Sequence, residues 1–397
     1  MIKTYKVMLL PNNKQTTKLF ECAGVARWAY NWALEQQQTN YKNGGKFLDD
    51  KVLRKRLTGL KHKEQYKWLN NYSNNITKQA IKDACNAYKN FFKGMAKFPK
   101  FKSRKRNKPS FYQDTAKIVI SDTHVKLEKL TTSKKKNKQK LNWVKLAEQG
   151  RIPTGKNIKY LNPRITFDGL NWWLSIGVEE KLEQDSAQYS QGIGIDLGVK
   201  DLAVVSTGQK FKNINKSKKV RKLEKKLKRL QRKLSKKYEL NKIHTQGGEY
   251  RYRKTKNIKK LELLVLKTYR RLKNIRCNYI HQITTSLART KPEYVVMEDL
   301  NTCGMLKNRK LSKAIQEQVF HEFKRQMEYK CAWNKIQFIL ADRYYPSSKT
   351  CSRCYSIKDK LSLAERTFIC DDCGYEIDRD LNASINLQRY GKSIVQH

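Results

Sequence analysis

Apolar residues recur at a spacing of three to four between Thr16 and Lys42, where Leu19, Ala23, Ala26, Tyr30 and Ala33 share one face. They do so again between Thr77 and Met95 through Ile81, Cys85, Tyr88 and Phe92. That period predicts two amphipathic helices near the start of the chain. Ahead of them MIKTYKVMLL reads as a strand, and from Lys117 the period changes to two. AKIVIS, HVKLEKL and PRITFDGLNWWLSIGVEE alternate, with Asp168-Gly169 a hairpin turn signal between Ile165/Phe167 and Trp172/Leu174/Ile176. The first strand is therefore expected to join this later β-region around an inserted helical domain. The lysine run TTSKKKNKQK reads as a mobile loop and QDSAQYSQ, residues 184–191, as a linker.

The second half opens on GIGIDLGVKDLAVVS, a predicted hairpin, and then a basic segment where Val220, Leu223, Leu227, Leu230 and Leu234 keep a 3–4 spacing. Ile258, Leu261, Val265, Leu272, Ile275 and Tyr279 continue that seam after Gly247-Gly248, which predicts a helical hairpin with a narrow stripe and lysine-rich outer faces. PEYVVMEDL and IQFILAD read as buried strands separated by one helix around Ile315, Val319, Phe323 and Met327. A mixed α/β sheet accommodates that order of elements.

Charge narrows the class of partner. With 86 Lys and Arg against 35 Asp and Glu, the net charge is +51, and a compact chain so charged repels itself unless a polyanion neutralises it. Nucleic acid is the expected partner, and FPKFKSRKRNKPSFYQ interleaves aromatics with cations as base stacking beside phosphate contacts requires. The apolar run VMLL near the start is too short for a signal segment, and no window suits a membrane span. A cytoplasmic protein of the prokaryotic cytosol or nucleoid is the resulting expectation.

Five of the nine cysteines, Cys22, Cys85, Cys277, Cys303 and Cys331, stand singly and read as small hydrophobes. Cys351, Cys354, Cys370 and Cys373 instead form two C-x2-C pairs fifteen residues apart, the spacing of a zinc ribbon. Four soft thiolates close a tetrahedron and leave no open position, so this is a structural Zn²⁺ site, although an iron–sulfur cluster would use the same ligands.

The carboxylates are fewer and more pointed. Asp196 closes a strand before Gly198, Glu298 ends the apolar run YVVME, and DRDLNASINL carries Asp378 and Asp380 where a helix begins with Leu381, Ile385 and Leu387 on its buried face. A single strand-end acid fits a hydrogen-bonded structural role, and an acid before a helix fits an N-cap. Three acids from two strands and one helix also fit two Mg²⁺ ions about 4 Å apart, the arrangement for in-line phosphodiester hydrolysis. Residues and spacing thus point to a metal-dependent nuclease.

GIDLGVKDLAV, VVMEDL, PSSKTCSRC and CDDCGYEIDRDLNASINL, with the earlier FPKFKSRKR and ITFDGLNWWLSI, resemble in order the transposon-encoded TnpB proteins, relatives of compact type V CRISPR nucleases. The resemblance spans essentially the whole chain. It implies a RuvC-type, ribonuclease H-like nuclease domain over 192–397, containing a basic helical hairpin at 216–290 and a zinc ribbon at 346–376. It further implies a wedge β-barrel from 1–10 and 98–184 with a helical recognition domain inserted at 11–97. The implied activity is RNA-guided cleavage of double-stranded DNA beside a short motif, with a guide RNA from the transposon end and the target double-stranded DNA as partners. The sequence leaves the oligomeric state open, a monomer being the favoured expectation. By motif, Asp196, Glu298 and Asp380 are the nuclease acids, while Asp299 and Asp378 are neighbours and Asp378 suits a helix cap. Lys100, Lys102, Arg104, Lys105 and Arg106, with the arm from Lys216 to Arg276, are assigned to nucleic-acid backbone contacts. Tyr355 stands where the family often has Gly after the first cysteine pair. A zinc-ribbon RNA- or DNA-binding protein without nuclease activity and a guide-independent transposase are the alternatives.

Overall fold

A computed structural model describes residues 1–397 apart from 134, 156, 181–188, 245–248, 363–364 and 397. It divides into two compact units, Met1–Leu182 and Glu183–His397. Most of the expected linker therefore lies outside the described residues, although Ser190 already bridges Pro292.

In the first unit, strand Ile2–Leu10 runs antiparallel to Trp172–Glu179, from Ile2 opposite Glu179 to Leu9 opposite Trp172, and its far end pairs with Trp143–Leu146. Alternation explains its place: Val7 and Leu9 are buried together with Leu174, Ile176 and Val178 across the ladder. Seven strands follow the order Ser110–Tyr112, Tyr160–Phe167, Trp172–Glu179, Ile2–Leu10, Trp143–Leu146, His124–Lys126 and Val119–Ile120. Helices Asn13–Lys42, Asp50–Leu60 and Asn74–Phe92 share one apolar core with this sheet. The first helix begins earlier than its apolar period predicts because Asn12 and Gln15 form a reciprocal capping box. Gln15 Nε2 also donates to the carbonyls of Leu141 and Trp143, fastening the helix to the sheet.

Two local readings change. The Asp168-Gly169 turn is a four-residue loop, since Phe167 pairs with Trp172, and Asp168 Oδ1 accepts the backbone N–H groups of Leu170 and Asn171. Gly169, at φ 99°, supplies the left-handed residue the loop needs. The lysine run expected as a loop contains a helical turn at Lys136–Gln139, with residue 134 outside the described part.

The second unit is built on a five-stranded sheet. Lys210–Lys212, Asp201–Val205 and Ile193–Leu197 form an antiparallel meander, and Tyr294–Glu298 and Gln337–Ala341 continue it in parallel. Strands buried on both faces split their side chains by a period of two. Ile193, Ile195, Val295 and Met297 meet Ile280, Ile283, Phe323 and Met327 of helices Lys256–Arg289 and Phe320–Trp333. Val296, Ile339 and Ala341 meet Leu387 of helix Arg379–Val395 on the other face. Two glycines set that second contact. A Cβ on Gly194 would lie 2.0 Å from the Ser384 carbonyl oxygen, and one on Gly391 would lie 2.4 Å from Val296 Cγ2.

The single helix expected around Ile315 to Met327 is two helices, Ser312–Gln318 and Phe320–Trp333, because Val319 adopts φ 55°. A β-branched residue there is strained. Gln318 Nε2 accounts for the break by donating to the Val199 carbonyl oxygen at 3.1 Å, in the loop after Asp196. The basic hairpin comprises helices Lys218–Glu239 and Lys256–Arg289, capped by Ser217 and Thr255, with Val220, Leu223, Leu227 and Leu272 buried in its seam. Short strands Lys242–His244 and Tyr250–Tyr252 pair at its tip, while Gly247-Gly248 lies outside the described residues. The seam thins toward the far end of the first helix, where Leu230 and Leu234 are only half-buried, while Val265 and Ile275 of the second helix pack against it as the period predicts.

Candidate active site and metal centre

Parallel pairing of Ile195 with Met297 carries Asp196 and Glu298 to neighbouring positions at the ends of two central strands. Asp380 lies in the first turn of helix Arg379–Val395, which the Gly194 contact holds against the same strand. The charges converge. Burial raises the Asp196 carboxyl well above its ordinary range, and the neighbouring charges of Glu298 and then Asp380 raise it further, with Arg379 opposing them. Among the described residues none of the three acids forms an ion pair.

The acids left aside as neighbours are already engaged. Asp299 is held below its ordinary value by hydrogen bonds from Lys324 at 3.0 Å and Arg343 at 2.8 Å. Asp378 is the helix cap, accepting the Leu381 N–H at 3.1 Å, and it pairs with Lys210 at 2.8 Å. These contacts hold its carboxyl low despite the burial that works to raise it. Asp371 pairs with Lys358 at 2.9 Å, and Asp372 and Glu376 are exposed.

Sequence reasoning missed the residues that fix this corner. Leu381 and Ile385, expected on the buried face of the last helix, are only half-buried, and Asn382 and Asn386 take the interior positions beside Ala383 and Leu387. A helix lying this close to a sheet leaves little room for large apolar groups, and the adjoining chain has carbonyls to satisfy. Asn382 Nδ2 donates to the Thr350 carbonyl at 2.7 Å, and Asn382 Oδ1 accepts the Ser352 N–H at 3.0 Å. Asn386 Nδ2 donates to the carbonyls of Ser347 and Thr350 at 2.8 and 2.6 Å. Ser347 Oγ in turn donates to Glu298 Oε1. Two asparagines four apart on an apolar helix stripe were the available signal.

The four paired cysteines come together as expected, their sulfur atoms all within 4.8 Å of one another. Strands Thr367–Ile369 and Glu376–Asp378 form the second hairpin of the ribbon, and Phe368 fills a small core with Cys351 and Cys370. The backbone N–H of Cys373, then that of Asp372, draws the Cys370 thiol down to about 7 against the cost of desolvation. A closed set of soft sulfur donors, one already inclined to ionise, suits zinc.

Tyr355 and Gly374 each follow the second cysteine of a pair, and both are left-handed, at φ 68° and 66°. This equivalence explains why glycine suits position 355. Tyr355 tolerates the strain with its ring 4.8 Å from the Arg389 guanidinium. A left-handed L-residue costs about 1–2 kcal/mol, so Tyr355→Gly is expected to hold the ribbon metal more tightly than Tyr355→Ala, which keeps the strain and loses the ring. The chelator concentration that removes half the metal measures this; equal values for the two variants would contradict it.

Of the cations assigned to nucleic acid, Lys100, Arg104, Lys105 and Arg106 are exposed. Lys102 differs: it is half-buried, with Nζ 3.6 Å from the Tyr30 ring centre and its backbone bonded on both sides by Asn31. Its role in the structure is to anchor this segment to the first helix.

Comparison with known proteins places these features. A family model described as Probable transposase matches residues 175–309, and one described as Cas12f1-like, TNB domain matches 320–387, across the strand Gln337–Ala341 and the four paired cysteines. A third, Helix-turn-helix domain, matches residues 1–46, which here form a strand and one long helix. A Streptomyces pristinaespiralis protein provisionally named an RNA-guided DNA endonuclease is 29% identical over 98% of this chain and 89% of its own length. The similarly named InsQ of Escherichia coli strain K12 is 26% identical over 99% and 93%. The fold matches a protein solved as a Cas12f1–sgRNA–target DNA complex, with a TM-score of 0.58 at 14% identity, over 94% of this chain and 82% of that one.

Proposed function

We propose that this chain, which carries the IS605 OrfB transposase and Cas12f1-like TNB domains, is an RNA-guided DNA endonuclease of the TnpB kind. The observation that carries the catalytic part is the approach of Asp196, Glu298 and Asp380 to one another, with Arg379 the one opposing charge felt at Asp196 and no ion pair to any of the three among the described residues. Hard carboxylate oxygens, an excess of negative charge and no thiolate or imidazole among the three fit Mg²⁺. When bound, magnesium supplies charge stabilisation for the attacking and leaving oxygens of a phosphodiester and an acidified water.

The chain's own residues set the geometry. The two parallel strands fix Asp196 and Glu298 side by side, and the close contact at Gly194 fixes the helix that carries Asp380. On this reading 192–397 is a RuvC-type nuclease domain, with 216–290 its basic hairpin and 346–376 its zinc ribbon. Residues 1–10 and 98–184 form the wedge β-barrel, and 11–97 the recognition helices. Lys100, Arg104, Lys105, Arg106 and the outer faces of the hairpin hold phosphates, whereas Lys102 holds the fold. Zinc fills the four-cysteine site.

The test is to purify the protein with the RNA that accompanies it and supply double-stranded DNA matching that RNA's guide. Cutting is expected only with Mg²⁺ and only with RNA, and RNA binding is expected to weaken steeply with salt. Cutting that survives removal of the RNA would defeat the reading, and RNA-independent joining of DNA ends would favour a transposase instead.

A further inference from the structure

We propose that Ser347 is a positioning residue for Glu298 and that, through it, the four-cysteine ribbon sets the orientation of one carboxylate of the nuclease site. The proposal rests on the assignment of Glu298 as a metal-holding acid.

The chain of contacts is continuous. Ser347 is 2% exposed, and its hydroxyl donates to Glu298 Oε1, with no other hydrogen bond to that carboxylate among the described residues. A carboxylate at a strand end rotates freely about its last side-chain bonds, so one fixed donor on one oxygen selects a rotamer and leaves the second oxygen available. Ser347 cannot follow Glu298 if it moves. Its N–H donates to the Tyr345 carbonyl at 2.8 Å, its carbonyl accepts from Asn386 at 2.8 Å, and Asn386 is 1% exposed.

The same clamp continues into the ribbon. The Thr350 carbonyl accepts from both Asn382 and Asn386, and its N–H and hydroxyl both donate to the Pro346 carbonyl. Thr350 therefore closes a turn around Ser347 on one side and is bonded covalently to Cys351 on the other. Cys351 is fully buried, and its N–H donates to the Ser356 carbonyl across the first knuckle. Asn382 and Asn386 belong to the helix that carries Asp380, so one polar seam ties two of the three acids and the first cysteine pair into a single body. A seam of fully satisfied buried hydrogen bonds is rigid, which a carboxylate bearing a catalytic ion requires.

The experiment compares wild type, Ser347→Ala and Ser347→Thr, all zinc-loaded. Binding of Mn²⁺, as a paramagnetic stand-in for Mg²⁺, is read by electron paramagnetic resonance without nucleic acid, alongside the Mg²⁺ dependence of cleavage. Loss of a hydrogen bond to a metal-holding carboxylate costs about 10–100-fold in metal affinity, so Ser347→Ala should weaken Mn²⁺ binding and raise the half-saturating Mg²⁺ by at least about 10-fold. Cleavage should approach the wild-type rate at saturating Mg²⁺, RNA binding should be unchanged, and Ser347→Thr should restore most of the affinity. Unchanged Mn²⁺ affinity and Mg²⁺ dependence in Ser347→Ala would overturn the proposal while leaving the nuclease assignment intact. A wild-type protein that neither binds Mn²⁺ nor cuts would instead defeat the nuclease assignment.

Discussion

Asp196→Asn is expected to abolish DNA cleavage while leaving RNA and target binding intact, and to make the protein more stable when magnesium is withheld. The loss should be at least about 10³-fold, because the variant keeps the shape of the site but gives up one of the anionic ligands on which charge stabilisation depends. The gain in stability follows from the same arrangement. Burial, Glu298 and Asp380 all raise the Asp196 carboxyl, so without a cation the folded state pays for ionising it. The sign is set by that direction: a raised carboxyl makes folding less favourable as pH climbs from the ordinary aspartate range through the folded value. Asn removes this cost. Near neutral pH, relief of about 1 kcal/mol corresponds to roughly 2–4 °C for a unit of this size, and the advantage should fade in acid, where the wild-type carboxyl is protonated. Calorimetry of zinc-loaded protein across pH checks this; a melting temperature unchanged or lowered at neutral pH would show that the three charges are not crowded.

The second large effect concerns the cysteines. Cys351→Ser should lose the bound metal, open the segment 346–376 to protease, and abolish cleavage even though every nuclease acid is present. The small core of Cys351, Phe368 and Cys370 is too slight to hold two knuckles without an ion, and structural zinc contributes about 10–16 kcal/mol of apparent binding energy in small zinc modules. Loss of cleavage follows because Thr350 adjoins Cys351 and is the shared acceptor of Asn382 and Asn386. Metal content by atomic absorption, limited proteolysis and cleavage should fall together. A variant that loses zinc yet cuts at the wild-type rate would separate the ribbon from the site.

Much of this was legible from periodicity and spacing. The 3–4 pattern marked the early helices, and the paired cysteines marked their own cluster. Glu298 and Asp196 stood out because an acid ending an apolar run requires a reason. Other features depended on partners distant in sequence. Val319 sits in an unbroken helical pattern, and only the contact of Gln318 with the Val199 carbonyl reveals why the helix stops there. Asn382 and Asn386 resemble surface polar residues until the carbonyls of Ser347 and Thr350 are brought beneath them. The arm's stripe likewise continued in sequence through Leu230 and Leu234, where the packing thins, since a hydrophobic period records what can be buried, not what is.

The first strand carries a consequence for how the protein is made. Ile2–Leu10 lies between Trp172–Glu179 and Trp143–Leu146, so neither of its neighbours exists when it leaves the ribosome. At about 5–20 residues per second, the wait for its longer partner is roughly 10–35 s. Throughout that interval an alternating segment with bare edges must avoid pairing with other chains. Its two lysines, Lys3 and Lys6, are the kind of charge that discourages such encounters. The register that locks the first unit together is thus also the slowest part of it to close, and the nascent chain's exposure to aggregation is set by the distance between the two ends of one ladder.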